Sequence, residues 1–259
     1  MSKEKKIAIG IDIGGSGIKG APVSMKSGKF KDDRLRIPTP PNAEPEEIAD
    51  IVATIVRSFN LPDAPVGITF PAPVKDGVIP VVSNLSQSWA GVHAQELFSH
   101  TLGHPVAVLN DADAAGLAEE HFGAAKGKGG TVLMLTLGTG IGSALVFNGE
   151  LVPNTELGHL HLPELPEGVA DAEKWAASSV FERDELSMEE WARRLQIYFN
   201  EIEFLLSPRV IIIGGGISKK HDQFLPLIST QAQLVPAKLR NKAGIVGAAL
   251  MAYQHAPRP

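Results

Sequence analysis

A short apolar strand, a glycine-rich turn and a second apolar strand occur twice in this chain. That recurrence constrains its fold more than any other feature. "IAIGIDIGGSGIKGAPV" spans residues 7–23 and "TVLMLTLGTGIGSALVF" spans 131–147. Short, β-branched apolar runs predict buried strands. Helical patterns alternate with further strands, which argues for an α/β architecture. The repeated unit points to two similar α/β domains with a cleft between them. One large sheet bearing two glycine hairpins is the other arrangement the pattern allows.

The remaining segments fit this grammar. Residues 26–36 are lysine-rich and predict a turn and an exposed edge strand; "PTPPNAEP" is a proline-rich connection. A helix is expected after it, with Ile48, Ile51, Val52, Ile55, Val56 and Phe59 at helical spacing. Glu44, Glu46 and Glu47 fall in its first turn, where the helix dipole favours acids. "APVGITFPAPV" predicts a buried strand, "AQELFSHTLG" a short helix closed by Gly103, and "PVAVLN" a strand running into a helix at "DADAAGLAEEHFGAA". In the second half, "AEKWAASSVFER" and "SMEEWARRLQIYFNEIEFLL" read as helices. "SPRVIIIGGGIS" reads as a strand ending in three glycines, and "AGIVGAALMAYQHA" as a closing helix of small residues.

Composition removes several function classes. There is no cysteine, so disulfides, thiolate metal sites and cysteine nucleophiles are excluded. A net charge of −5 leaves no general nucleic-acid footprint, although a local basic patch still permits a polyanionic ligand. No apolar run approaches the ~20 residues of a membrane span. The apolar run near the N-terminus meets Asp12 too early for a signal-peptide core, so a cytoplasmic location is expected.

The first turn contains "GSGIKG", a literal G-x-G-x-x-G. A dinucleotide fingerprint needs a helix to open directly after its glycines. Gly20 and Pro22 fall where that helix would begin, and no acid closes a second strand at the needed distance. The competing reading is a hairpin whose tight turn presents successive backbone N–H groups as an anion-binding concavity. "LTLGTGIG" has the same form, with Thr136, Gly138, Thr139 and Gly140. Asp12 stands where the first strand meets its turn, suited to a metal or ordered water beside phosphates. "GAAKGKG" (123–129) misses a Walker A loop by one spacer and lacks the Ser or Thr, so it reads as a solvated lysine loop.

Asn110 and Asp111 lie between a strand and a helix, at the strand end where α/β sheets bind ligands. Asp111 suits either a helix N-cap or a general base for a hydroxyl in phosphoryl transfer. "NTELGHLHLPE" adds Glu156, His159 and His161 after the second hairpin. H-x-H alone is too few ligands for zinc, and a Glu and His facing neutral hydroxyls fit a sugar site.

Taken together and in order, "IGIDIGGSGIKG", "GITFPAPV", "VSNLS", "LNDADAAGLAE", "LTLGTGIGSALVFNGELVPNTELGH", "IIIGGGIS" and "AGIVGAAL" resemble the ROK sugar kinases. These belong to the actin-like ATPase superfamily, and the likeness is strongest to the polyphosphate-using glucokinase branch. The resemblance implies an actin-like (ribonuclease H-like) fold of two similar α/β domains around a cleft. The expected division is 1–109 with 244–259, and 110–243.

The implied activity is transfer of a phosphoryl group from inorganic polyphosphate or ATP to the 6-hydroxyl of glucose or mannose, with Mg²⁺. Asp111 would be the catalytic base. Asn84, Asn110, Glu156, His159 and Glu173 would hold sugar hydroxyls, with Pro71 and Ala72 on the pocket floor. Gly14, Gly15, Ser16 and Lys19 would form the first phosphate turn, with Asp12 near Mg²⁺, through water or directly. Thr136, Gly138, Thr139 and Gly140 would form the second, and Gly214, Gly215 and Gly216 would meet the adenosine. Many members carry a cysteine-rich zinc motif after the E-x-G-H segment; without cysteine that structural zinc is not expected here. Lys126, Lys128, Lys219, Lys220 and the 238–242 segment are candidates for a polyphosphate track. A non-catalytic sugar sensor of the same family would carry a helix-turn-helix ahead of the first strand, and here that strand comes at once. A homodimer through the helices after 172 is expected, with no nucleic-acid or membrane partner.

Overall fold

A computed structural model describes residues 6–82 and 85–256. In chain order the elements are β1 (Ile7–Gly14), β2 (Gly17–Ser24), β3 (Leu35–Ile37), α1 (Pro45–Ser58), β4 (Val66–Phe70), α2 (Ala94–Leu102), β5 (Val106–Asn110) and α3 (Asp111–Phe122). Then follow β6 (Thr131–Leu137), β7 (Ile141–Phe147), β8 (Glu150–Val152), α4 (Glu173–Ala176), α5 (Ser178–Arg183) and α6 (Met188–Leu206). β9 (Val210–Gly214), α7 (His221–Phe224), β10 (Gln233–Pro236) and α8 (Ala243–His255) complete the chain. Among the described residues no helix is long and apolar enough to cross a membrane.

The chain forms two compact units, Met1–Ala118 with Asn241–Pro259, and Glu119–Arg240. Each holds a five-stranded sheet, β3-β2-β1-β4-β5 in the first and β8-β7-β6-β9-β10 in the second. Read by position in its own unit, each sheet has the order 3-2-1-4-5. The chain therefore repeats one topology twice, and the single-sheet arrangement is excluded. In each unit the glycine hairpin is antiparallel, and the two later strands add in parallel. The residues a dinucleotide fingerprint would need as helix are instead β2, with Gly20 opposite Ile11 and Pro22 opposite Ile9.

In the first unit α1 buries Ile48, Val52 and Ile55. Trp89 fills the core beside Phe70 and Phe98, with ring centroids 4.6 and 6.0 Å away. Its indole N–H donates to the Ala43 carbonyl at 2.8 Å, so the polar edge is satisfied. The small residues of α8 have a packing reason. Side chains on Gly10, Gly67 or Gly247 would overlap the carbonyls of Ile245, Ala248 and Ala114 respectively. Helix and sheet, and helix and helix, meet backbone to backbone there. That close packing holds Asp111–Ala118 in the first unit, whose compact division from the second lies at 118/119 and 240/241.

In the second unit α6 buries Trp191, Leu195, Tyr198, Phe199 and Ile202. The helix expected over "AEKWAASSVFER" is broken at Ala177, which is extended (φ −61°, ψ 157°). No proline or glycine marks the break. It restarts the helix at Ser178, and both new first-turn serines bind the second glycine turn, as described below.

Candidate active site

The first unit gathers its expected site residues at one sheet edge. β1, β4 and β5 are parallel neighbours, with Asp12 beside Thr69 and Phe70 beside Asn110. The carboxyl ends of these strands therefore put Asp12, Pro71, Ala72, Asn110 and Asp111 on the same side. The hairpin turn, Gly15 and Ser16, projects there with both residues exposed. Asp12 is flanked across the sheet on both sides. Lys19 Nζ lies 3.3 Å from one carboxylate oxygen, and Thr69 Oγ1 donates to the other at 3.1 Å. Thr69 gave no signal in the sequence; only the strand register brings it there.

At the start of α3 the residue in the cap position is Asn110, not Asp111 as the N-cap reading of that acid expects. The Asn110 side-chain oxygen accepts from the Ala112 and Asp113 N–H groups, at 2.8 and 3.2 Å, which is the geometry of an N-cap. Asp111 accepts from the Ala112 N–H at 2.8 Å and stands exposed as the helix's first residue. Capping is thus the work of a buried asparagine, and an exposed carboxylate sits beside it at the strand end. Asn84, expected near the sugar, lies outside the described residues.

The second unit gathers its set in the same way. Thr136 pairs with Gly214 in parallel, so the Gly138–Gly140 turn and Gly214–Gly216 share an edge. Gly215 has φ +83°, and a side chain on it would overlap the Leu137 backbone, whereas the space over Gly216 is open. The turn closes through Gly138 N–H to Gly140 O at 3.0 Å. Ser178 Oγ donates to Gly138 O at 3.1 Å, and Ser179 Oγ to Thr139 O at 2.6 Å. Both serines follow from the break at Ala177.

Glu156 precedes and His159 ends a short 3₁₀ turn, Leu157–His159, bolted to β7. Leu157 N–H donates to Ser143 Oγ at 3.0 Å, the serine donates to Thr155 O, and Gly158 packs on the Ile141 carbonyl. Glu173 reaches the same place from α4: its Oε2 accepts the Ile141 N–H at 3.2 Å, and its Oε1 meets Lys174 Nζ at 2.7 Å. His159 Nδ1 lies 2.8 Å from Asp171 Oδ2, a contact not expected from the sequence. The Asp171 hydrogen bond raises the His159 pKa above the usual histidine value. Burial raises that of Glu156, against the partial relief of His159.

His159, Asp171 and Glu173 each offer one ligand atom within 4.8 Å of the others. The Lys174 ammonium already holds Glu173 and Asp171 already holds the ring, so the trio reads as a hydrogen-bond network. His161 lies apart, exposed, its Nδ1 3.4 Å from Ala170 O. Buried Glu119 joins two of the lysine-bearing segments. It accepts the Ala124 N–H at 2.7 Å and the Leu239 N–H at 2.5 Å, drawing the 123–128 loop against 238–240. Lys128 also binds the Gln233 side chain.

Comparison with known proteins fits this geometry. Residues 8–174 match the ROK family. A polyphosphate glucokinase of Mycobacterium tuberculosis is 45% identical over 242 residues, 93% of this chain and 89% of that protein. An inorganic polyphosphate/ATP-glucomannokinase from Arthrobacter sp. strain KM superposes with a TM-score of 0.85 at 49% identity, over 96% of this chain and 99% of that one. A ROK family glucokinase from Streptomyces griseus, solved with glucose and AMPPNP, gives a TM-score of 0.79 at 26% identity, over 96% and 99%. With one α/β topology repeated in two units, the actin-like fold, and a family match over more than half its length, this chain is a member of the ROK family.

Proposed function

We propose that this protein transfers a phosphoryl group from inorganic polyphosphate or ATP to the 6-hydroxyl of glucose, and of mannose as a second acceptor. The observation that carries this reading is the division of labour at the start of α3: Asn110 caps the helix and Asp111 stands exposed beside it. The high identity to polyphosphate-using relatives supports the choice of donor and acceptor.

In the reaction Asp111 takes the proton of the 6-hydroxyl as its oxygen attacks the terminal phosphorus. The bond from phosphorus to the donor oxygen breaks, and the donor leaves one phosphoryl group shorter. Such transfers depend on positioning and on neutralising the phosphoryl oxygens. Backbone N–H groups of Gly14, Gly15 and Ser16 serve one turn, with Lys19 adding positive charge. In the second turn the Gly138 N–H is held within the turn, so Thr139 and Gly140 offer the N–H groups, with Thr136 beside them. Gly214–Gly216 take the adenosine when ATP is the donor. Asn110, Glu156, His159 and Glu173 hold sugar hydroxyls, with Pro71 and Ala72 beneath. The lysine segments tied by Glu119 lead the polyphosphate chain.

Mg²⁺ fits Asp12. That ion keeps most of its waters and takes one or two carboxylates plus phosphate oxygens. Asp12 is a half-buried carboxylate at the phosphate turn, with Thr69 on one oxygen and the Lys19 ammonium at 3.3 Å from the other, so it would hold the ion through one of the ion's waters. Once bound, the ion would neutralise charge on the donor phosphates.

We also infer a homodimer through the helices after 172, supported by Phe204, 82% exposed at the end of α6 beside exposed Leu205. The functional test is direct: incubate the protein with Mg²⁺, glucose or mannose, and either polyphosphate or ATP, and measure hexose 6-phosphate. Product from both donors is expected. Product from ATP alone would make this an ATP-only hexokinase, and none from either donor would overturn the reading.

A further inference from the structure

His159 and Asp171 form a dyad whose geometry the reaction above does not use. His159 closes the 3₁₀ turn beside β7, and its side chain is 57% exposed. Asp171 is 13% exposed and is held at both oxygens. Its Oδ1 accepts the Lys174 N–H at 3.1 Å, at the start of α4, and its Oδ2 faces His159 Nδ1 at 2.8 Å. The neighbouring backbone locks the two segments side by side, with Ala172 N–H donating to Leu160 O at 2.9 Å. Swinging the carboxylate away from the ring would therefore also cost the Lys174 N–H its partner at the start of α4.

An ionised carboxylate only accepts hydrogen bonds. The ring nitrogen facing it must carry the proton, and in the neutral imidazole the other nitrogen is then bare. We propose that Asp171 is a positioning residue: by accepting the Nδ1–H of His159 it fixes the tautomer whose bare Nε2 accepts a hydrogen bond from a hydroxyl of the bound sugar. The identity of that hydroxyl donor rests on the hexose-kinase reading; the tautomer does not.

A carboxylate that only stiffens a loop would act differently from one that sets a tautomer. Without Asp171, nothing selects Nδ1–H, and the Nε2–H form turns an acceptor into a donor facing the sugar. Protonation has the same consequence, since both nitrogens of imidazolium donate. The groups facing the ring are Asp171, Glu156 and Glu173, all of which favour the imidazolium. The Lys174 ammonium stands beside Glu173. Sugar affinity should therefore fall as the solution is acidified through the His159 pKa. Removing Asp171 should move that acid limb to lower pH, because the largest cause of the raised pKa is gone.

The test compares the intact protein with Asp171→Ala and Asp171→Asn. ¹⁵N spectra of histidine-labelled protein without ligand, recorded on the alkaline side of the His159 titration, should show the ring protonated at Nδ1 and bare at Nε2, with this pattern lost in Asp171→Ala. The sugar KM of that variant should rise by up to about tenfold, the loss of one hydrogen bond between neutral groups. Its kcat should change by less than about threefold, the signature of lost substrate binding. Asp171→Asn keeps an acceptor oxygen and should recover part of the KM while still showing the acid shift. Thermal melting of both variants establishes that they are folded.

A wild-type ring protonated at Nε2 would overturn the proposal. So would folded variants whose sugar KM and acid limb match the wild type. A wild type that phosphorylates no hexose would overturn the kinase reading and with it the hydroxyl assignment, while the ¹⁵N pattern still decides the link between Asp171 and His159.

Discussion

The two glycine hairpins share a topology and differ in how they are held. The first turns through two residues and is braced by long-range side chains. Thr39 Oγ1 donates to Gly14 O at 2.5 Å and the Arg36 guanidinium to Ser16 O at 2.6 Å. The second turns through three residues and is braced by the serine hydroxyls of α5 and by the Glu173 carboxylate. Every brace except Glu173 is a donor that engages a turn carbonyl. That is what an anion-binding turn requires: carbonyls tied on the bracing side leave the N–H side for the ligand. The surroundings differ more than the turns. Beside the first lie Asp12 and Lys19, and Asp111 stands at the β5 end of the same sheet; the proposed reaction assigns to these groups the ion and the proton. The second is neutral in itself and shares its carboxylate brace with the Glu156–His159 cluster. In the proposed reaction the first unit would supply the chemistry and the second the grip.

The largest expected effect tests the first half of that contrast. Asp111→Asn should lower kcat for glucose by about a thousandfold, within the range of a positioned general base. Its melting temperature should stay close to wild type, because Asn110 retains the cap. A large loss of stability with little loss of turnover would make Asp111 a structural residue and move the chemistry elsewhere.

Next comes a comparison inside the second turn. A methyl group on Gly140 would overlap the Glu173 carboxylate, while one on Gly138 meets nothing within 4 Å. Gly140→Ala should therefore displace Glu173 from Ile141 and raise the KM values of both donor and sugar. Each should rise by about tenfold, with about 1–3 kcal/mol of overpacking cost in stability. Gly138→Ala should leave stability nearly unchanged. If the two variants behaved alike, the shared carboxylate would not be the link between turn and sugar cluster.

Both hairpins were legible because strand periodicity and glycine clusters are local signals, and because Pro22 and Gly20 argue against a helix in any context. The strand-end location of Asn110 and Asp111 was legible too, but which of them caps is decided by side-chain geometry two residues downstream. Ala177 carries no sequence mark of the helix break. An alanine turns extended there because doing so lets Ser178 and Ser179 reach the turn, a gain made only in the folded unit. Asp171 was invisible for a related reason. It is one acid among many, and its partner arrives through the pairing of two irregular segments, 159–161 and 170–172. Motif spacing finds residues that meet a ligand; it does not find those that meet each other across a tertiary fold.

The cores behind the two hairpins offer a smaller contrast. Trp89 in the first unit and Trp191 in the second each donate their indole N–H to a backbone carbonyl, at 2.8 and 2.9 Å. Tyr198, fully buried on α6, has no hydrogen-bond partner for its hydroxyl among the described residues. Burial also pushes its ionisation up, so the group stays neutral. Leaving such a hydroxyl unsatisfied costs about 1–3 kcal/mol. Tyr198→Phe should thus stabilise the protein by about 1 kcal/mol, seen as a rise of about 2–4 °C in melting temperature. A fall would mean that the hydroxyl has a partner, such as buried water.

The smallest effect is the pH dependence of the second unit's cluster, and its sign is fixed by the direction of the shifts. His159 is raised from the ordinary 6.5, chiefly by its hydrogen bond to Asp171. The folded state therefore binds the proton more tightly than the unfolded chain does. The resulting stability is fully present below pH 6.5 and is lost as pH rises through the folded-state value. Glu156, raised from 4.5 by burial, acts in the same sense at lower pH: its ionisation costs stability as pH climbs through its folded value. Melting temperature should accordingly decline on the alkaline side of 6.5 in the wild type. The decline should be shallow, because the ring is more than half exposed and solvent screens its partners. His159→Gln should flatten that limb, and Glu156→Gln should flatten the one that starts nearer 4.5. A wild-type profile rising through the His159 window, and still rising in His159→Gln, would place the dominant titration outside this cluster and remove the electrostatic half of the contrast between the two hairpins.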